Sequence, residues 1–337
     1  MNKILIYILI AVLLYYILRI SRPVDYIPHN YETIVKRYKY YLGDFYSKSN
    51  IVVDVSKYKE FYRDRIFYYT GPNQKIDNFP IGHDLLDKIS PGWWWGHNNR
   101  FNIDFPCITN SADGFESDQL PVLTKARIID NHYNGILIKF EYDYHWKILK
   151  TFRDPYNWTN KLDSVCWRGN HIVGLTKKYN RRHFVEMYYK FYDIGFHPKK
   201  DDDYYNANSD MFKNSMTQEE QLKYKYLICI EGNDVGTSLK WQLASNSIVL
   251  MAKPIIEGWL MEGALEPFVH YVPLKDDFTD LDKMIDWCRN NDDKCKEISA
   301  NARKHIEQFL DEENELLLHK MLCNWYKKNV SFFSSTN

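Results

Sequence analysis

The sequence carries no net charge. Lys plus Arg number 44 and Asp plus Glu number 44. A general nucleic-acid binder carries a basic excess, so nucleic acid is not an expected partner. Motifs with fixed metal or nucleotide spacing are also missing. The six cysteines, Cys107, Cys166, Cys229, Cys288, Cys295 and Cys323, include no CxxC pair and no Cys/His cluster, which argues against structural zinc. His171, His183, His197 and His270 show no HExxH spacing. No GK[ST] triplet is present, which excludes a Walker loop. No internal repeat or long low-complexity stretch is visible.

What is present is a globular composition. The 337 residues are 45% hydrophobic and 26% charged, unlike a disordered or collagen-like chain. Aromatic content is 16%, with 27 Tyr and 10 Trp, which suits a Tyr-rich core and surface as readily as stacking platforms for sugars. Cys288 and Cys295 stand seven apart, about 10 Å along a straight helix and too far for a disulfide unless the helix breaks at Asn290-Asn291-Asp292.

One apolar run stands out. Ile4 to Leu18 is uncharged between Lys3 and Arg19. It is shorter than the roughly 20 residues of a full span, but Ile20 extends it and the flanking bases can snorkel. The length also fits a signal-peptide core, yet RISRPVDY offers no small-x-small cleavage site. The expectation is an uncleaved single-pass membrane anchor over residues 1–22 and a stalk over 23–50. Arg19, Arg22, Lys36, Arg37 and Lys39 lean the body toward the cytosolic side.

The body changes character along its length. Val122–Ile129 and Gly135–Phe140 read as strand, turn, strand. Tyr226–Ile230, Ser247–Met251 and His270–Leu274 are short apolar runs, as buried parallel strands should be. Helical stretches alternate with them, Ser238–Ser245, 280–289 with Thr279 as N-cap, 292–310 and 312–328. The alternation predicts an α/β fold with a parallel sheet. Ligands bind such sheets at the carboxyl ends of the strands. Glu231-Gly232-Asn233-Asp234-Val235-Gly236-Thr237 occupies that place after the first strand. Its glycines allow close backbone approach, and free helix N–H groups favour a phosphate.

The text YKYLICIEGNDVGTSLKWQLASNSIVLM, followed by EGWLMEG, LEPFVHYVPLKDDFTDL and NNDDKCKEISANARKHI, resembles glycosyltransferase family 90. That family holds Rumi-type protein O-glucosyltransferases, fungal capsule xylosyltransferases and bacterial LpsA-type lipopolysaccharide transferases. The GNDV, SLKW and SNS wording is closer to the LpsA-type branch. Upstream, Cys166-Trp167-Arg168-Gly169 with Arg181-Arg182 resembles the family's W/F-R-G element and its downstream Arg. Pro121-Val-Leu-Thr-Lys125-Ala-Arg127 resembles its P-x-x-x-K-x-R strand. The resemblance runs from about 113 to 310.

The resemblance implies a GT-B-like fold, two Rossmann-like domains facing a cleft. Residues 51–160 would form the acceptor-side domain and 161–310 the nucleotide-sugar domain. Residues 311–337 would form a C-terminal helix packing back on the first domain. It implies inverting transfer of glucose, xylose or a similar sugar from a UDP-sugar to an acceptor hydroxyl on a glycan, glycolipid or glycoprotein, without a metal or other cofactor. Inversion needs a carboxylate base and a positive site for the leaving diphosphate. Arg168 is the first choice for that charge, since its planar fork suits phosphate. Lys240 matches the family's Lys. Ser238 stands where many Rumi-type members carry Arg. Gly232, Asn233, Thr237 and Ser238 offer loop contacts, while Glu257 and Arg127 are further nucleotide-sugar candidates. The base is sought among Asp104, Asp113, Glu116 and Asp118. Asp113 lies eight residues before Pro121, about where LpsA-type proteins place a Gly-Asp pair, and is chosen.

Two other readings stay open. Asp201-Asp202-Asp203 contains a DxD, the metal motif of GT-A transferases, but sits in a polar run without a preceding strand. A non-catalytic sugar-binding or scaffold protein on a degenerate transferase fold is the alternative function. The Trp93–Trp95 triplet would line an acceptor site or pack in the core.

Overall fold

The computed structural model describes residues 31–54, 67–69, 107–110, 120–129, 135–139, 146–171, 179–198, 203–232 and 234–333. It is mixed α/β. In the first half come α1 (Tyr31–Leu42), β1 (Ile51–Asp54), β2 (Phe67–Tyr69), β3 (Cys107–Asn110), β4 (Val122–Thr124), β5 (Ala126–Ile128), β6 (Ile136–Leu137) and α2 (Lys147–Thr151). The second half runs β7 (Leu162–Gly169), α3 (Arg181–Tyr188), β8 (Asp193–Phe196), α4 (Asp203–Ala207), α5 (Gln218–Gln221), β9 (Tyr224–Ile228), α6 (Leu239–Leu243), β10 (Ile248–Ala252), β11 (Ile256–Gly258), β12 (Val272–Leu274), α7 (Leu281–Asn290), α8 (Asp292–Glu307), α9 (Glu312–Asn329) and β13 (Val330–Phe333).

The second half is built on a parallel sheet of order β12-β10-β9-β7-β8. Its strands are apolar on both faces, as a doubly covered sheet requires. Alternate residues point to opposite sides. Val165, Trp167, Tyr226, Ile228, Ile248 and Leu250 face one core with α3, α7 and the start of α8. Cys166, Leu227, Val249 and Met251 face a second core, which also takes Ile34, Tyr41, Trp146, Trp259, Phe309 and Leu318. The expected strands thus form, shifted by one or two residues. His270 and Tyr271 precede β12 rather than joining it.

The first half holds a sheet of order β2-β3-β4-β6. Here the strand–turn–strand expectation is corrected. β4 and β6 pair parallel, not as a hairpin. The intervening β5 leaves the sheet and pairs antiparallel with β11 of the second half, Glu257 opposite Arg127. Thr124 makes this turn locally, its hydroxyl donating to Ala126 O at 2.7 Å.

Residues 31–42, inside the stretch expected as a stalk, are a packed helix. Arg37 is 1% exposed and donates to Glu315 Oε1 at 2.5 Å, while Lys139 donates to Glu315 Oε2 at 2.5 Å. This buried triad ties α1 and the end of β6 to α9. The chain then closes with β13 pairing parallel to β1.

Thr279 is not a cap. Its hydroxyl donates to Asp277 Oδ1 at 2.8 Å, and the N-cap position is Asp280. The helix does break at Asn291, but Cys288 and Cys295 are both free, buried thiols. The membrane expectation is also corrected. Among the described residues no helix is long and apolar enough to cross a membrane, so the single-pass anchor is withdrawn. Residues 1–22 themselves, like Trp93–Trp95, lie outside the described residues.

Candidate active site

The site is centred on the loop after β9. The apolar strand carries the chain to Ile230, then Glu231 and Gly232 turn across the sheet edge. Glu231 fixes the far wall, its Oε1 accepting from Ile255 N at 3.0 Å and Ile256 N at 3.1 Å. Gly232 N–H donates to Asp234 O at 3.1 Å, and Asp234 pairs with Lys125 at 3.2 Å. The K-x-R segment of the first half therefore touches the loop. Thr237 is exposed and Ser238 half-buried at its end, so both hydroxyls are available to a ligand. Asn233 lies outside the described residues.

The cation seated on Gly232 is Arg181. Asn180 caps α3, its side chain accepting from Arg182 N at 3.0 Å and His183 N at 3.4 Å. That cap sets Arg181 at the first helical position, with its guanidinium over Gly232. A Cβ at residue 232 would stand 2.7 Å from Arg181 Nη2, so glycine is what lets the guanidinium reach the backbone. Arg181 Nη2 donates to Ile230 O at 3.2 Å, and its buried Nε has no hydrogen-bond partner. Burial pushes its pKa down. Among the described residues it makes no ion pair. A desolvated guanidinium without a carboxylate is a ready receptor for phosphate oxygens.

Arg168 is placed elsewhere. Its Nη1 donates to Trp167 O at 2.9 Å and Asp193 O at 2.8 Å, Nη2 to Asp193 Oδ1 at 2.5 Å and Nε to Asn214 O at 2.9 Å. All three guanidinium nitrogens are engaged, Nη1 and Nη2 tying β7 to Asp193 of β8 and Nε reaching Asn214 O beyond it. Burial pushes the Asp193 carboxyl up, but hydrogen bonds from Arg168 and Tyr224 outweigh it and hold the carboxyl below its usual range.

Lys240 stands on α6, after the loop, and the Arg127–Glu257 pair sits at the β5–β11 seam. Lys240 is 4% exposed, and its Nζ lies 5.5 Å from the centroid of Trp259. Arg127 Nε donates to Glu257 Oε1 at 2.7 Å, and its other nitrogens reach the carbonyls of Tyr40, Tyr41 and Gly135. Glu257 also accepts from the Tyr40 hydroxyl and from Gly263 N at 3.3 Å. Both of its oxygens are thus occupied. Asp113, with Asp104, Glu116 and Asp118, lies outside the described residues, as do Asp201 and Asp202, while Asp203 opens α4.

Sequence reasoning named Gly232, Thr237, Ser238 and Arg127 as nucleotide-sugar candidates; the first three lie along one loop, which Lys125 reaches through Asp234, while Arg127 pairs with Glu257 across the β5–β11 seam. It named Arg181 only within the resemblance. It missed Glu262, which with Glu257 is one of two acids inside the otherwise apolar run from Ile255 to Leu265. Glu262 is 1% exposed, and burial pushes its carboxyl up to about 7, opposed by Lys240.

A parallel sheet with a glycine loop at its carboxyl edge is the arrangement of a Rossmann-like fold. Comparison with known proteins sharpens this. The family model described as glycosyl transferase family 90 matches residues 138–334. O-glucosyltransferase LpsA of Dichelobacter nodosus is 33% identical over 249 residues, covering 73% of this chain and 70% of that protein. Uncharacterized protein 179R of Invertebrate iridescent virus 6 is 42% identical over 107 residues, 30% of this chain but only 9% of that protein. Human protein O-glucosyltransferase 3 is 29% identical over 106 residues, 31% of this chain and 19% of that protein. The chain belongs to glycosyltransferase family 90. Family and relatives together support a glycosyltransferase.

Proposed function

We propose that this chain is an inverting glycosyltransferase of GT-B architecture. It moves a sugar from a UDP-sugar to a hydroxyl on a glycan, a lipopolysaccharide-like glycolipid or a glycoprotein, with no metal at the reaction centre. Glucose is the favoured sugar, since two of the similar proteins, the Dichelobacter nodosus and human ones, are O-glucosyltransferases by name. The observation that carries the reading is the Arg181 guanidinium, desolvated, without a carboxylate partner among the described residues and seated on Gly232.

In this scheme the diphosphate lies along the Gly232–Ser238 loop. Arg181 receives the charge that develops as the glycosidic bond to phosphate breaks, and backbone N–H groups with the Thr237 and Ser238 hydroxyls add hydrogen bonds. Arg127 and Glu257 act by holding β5 to β11, and Lys240 by anchoring α6 beneath the loop. Asp113 takes the proton of the acceptor hydroxyl.

The test is a panel of UDP-sugars with purified chain, reading released UDP with and without a chelator. UDP release with one preferred donor, unchanged by chelation, is expected. Release that needs a divalent cation would favour the DxD reading instead. UDP binding without release from any donor would favour a binding protein.

A further inference from the structure

The loop that would hold a diphosphate carries an acid of its own. Asp234 lies between Gly232 and Ser238 and shapes the turn. Its carbonyl accepts from Gly232 N at 3.1 Å, and its Oδ1 accepts from Val235 N at 2.7 Å. Its Oδ2 pairs with Lys125 Nζ at 3.2 Å. A carboxylate in a phosphate loop repels a ligand of its own sign. It also competes for Arg181, seated on the same loop at Gly232, yet among the described residues Arg181 makes no ion pair. Lys125 comes from the first half of the chain. It stands at the break between β4 and β5, where the Thr124 hydroxyl donates to Ala126 O at 2.7 Å. Its carbonyl packs on Gly258 of β11, where a Cβ would lie 2.9 Å away. The backbone is thus fixed on both sides, and the side chain reaches across to the loop.

We propose that Lys125 is a positioning residue for the donor, its ammonium neutralising Asp234 and so keeping the loop and Arg181 open to a diphosphate. The inference rests on the donor-site reading above and adds the residue of the opposite half that this site needs. The pair is partly exposed, Lys125 33% and Asp234 13%, so solvent and salt screen it. A counter-charge differs from a structural pair and from a direct phosphate contact. A structural pair loses as much from either end. A direct contact stays lost whatever stands at residue 234. A counter-charge has nothing left to offset once Asp234 is neutral.

The experiment is calorimetric titration of the full chain with inorganic pyrophosphate and with UDP, alongside thermal unfolding. Lys125→Met keeps the aliphatic stem and is expected to weaken both ligands about tenfold. Asp234→Asn keeps an oxygen for Val235 N–H and is expected to tighten both about threefold, because the like charge is gone. The double variant is expected to return to within about threefold of the unmodified chain. If Asp234→Asn weakens both ligands as Lys125→Met does, the pair is structural and the proposal is overturned; this arm stands even where Lys125→Met fails to fold. A double variant as weak as Lys125→Met alone puts the ammonium on the phosphate itself and also overturns it. If neither pyrophosphate nor UDP binds the unmodified chain, the donor-site reading has failed and the counter-charge role falls with it.

Discussion

The Arg181 guanidinium rests on the backbone of Gly232, where a Cβ would stand 2.7 Å from Nη2 and 2.9 Å from Cζ. The obstructed atoms belong to the end of a long side chain, so Gly232→Ala should fold and push the guanidinium aside. Transfer should drop by about 10²-fold, the usual loss for one charge-stabilising donor, and Arg181→Ala should match it. Released UDP and thermal unfolding, measured on both variants, check this. Unchanged turnover in Arg181→Ala would take the residue out of the site.

Arg168 should behave differently. Its guanidinium spans Trp167 O, Asp193 and Asn214 O at the β7–β8 seam. Truncation leaves the Asp193 carboxylate and three carbonyls short of a donor. Arg168→Ala should destabilise by about 2–4 kcal/mol in urea unfolding, and Arg168→Lys should recover little, because an ammonium cannot bridge the same acceptors. A variant of native stability that is catalytically dead would restore Arg168 to the diphosphate.

The contrast between the two arginines shows what the sequence could carry. The strands of the second half were legible because buried parallel strands are unbroken apolar runs, and Tyr226–Ile230 and Ile248–Ala252 are such runs. The loop followed from the first of them. Partners were not legible. A two-residue period marks β4 and β6 as strands but says nothing of direction, and only a long-range pairing draws β5 out to β11. For the same reason the W-R-G motif drew attention to Arg168. Its neighbour β8 then claims the side chain, while Arg181 arrives at the loop from a helix that begins thirteen residues after Arg168.

Two buried glutamates set opposing pH dependences. Burial pushes Glu315 up, but Lys139 and Arg37 outweigh it and hold it below 4.5, so its stabilisation is present above that value and is lost as pH falls through the folded-state pKa. Glu262 is raised from 4.5 to about 7, so its contribution is full below 4.5 and is lost as pH rises to 7. The groups around Glu262 are Lys240 on α6, Glu257 on β11, Cys229 after β9, and Tyr40 and Tyr41 on α1. Stability should therefore peak near pH 5. Glu262→Gln should flatten the alkaline side by about 3 kcal/mol, and Glu315→Gln the acid side, in urea unfolding from pH 3 to 8. A Glu262→Gln profile parallel to wild type between pH 4.5 and 7 would contradict the assignment.

The base is the remaining test of the chemistry. Asp113→Asn keeps size and hydrogen bonding but cannot take a proton at neutral pH. UDP should still bind, because the loop and Arg181 belong to the other half of the chain. Transfer should fall by about 10²–10⁴-fold, the range for a positioned base. Asp118→Asn is the internal control, since it lies five residues on and makes the same charge change. Loss of transfer in Asp118→Asn alone would move the base by those five residues and leave the mechanism intact. If transfer also survives Asp104→Asn and Glu116→Gln, no carboxylate between 104 and 118 accepts the acceptor proton. Inversion would then need its base from another element.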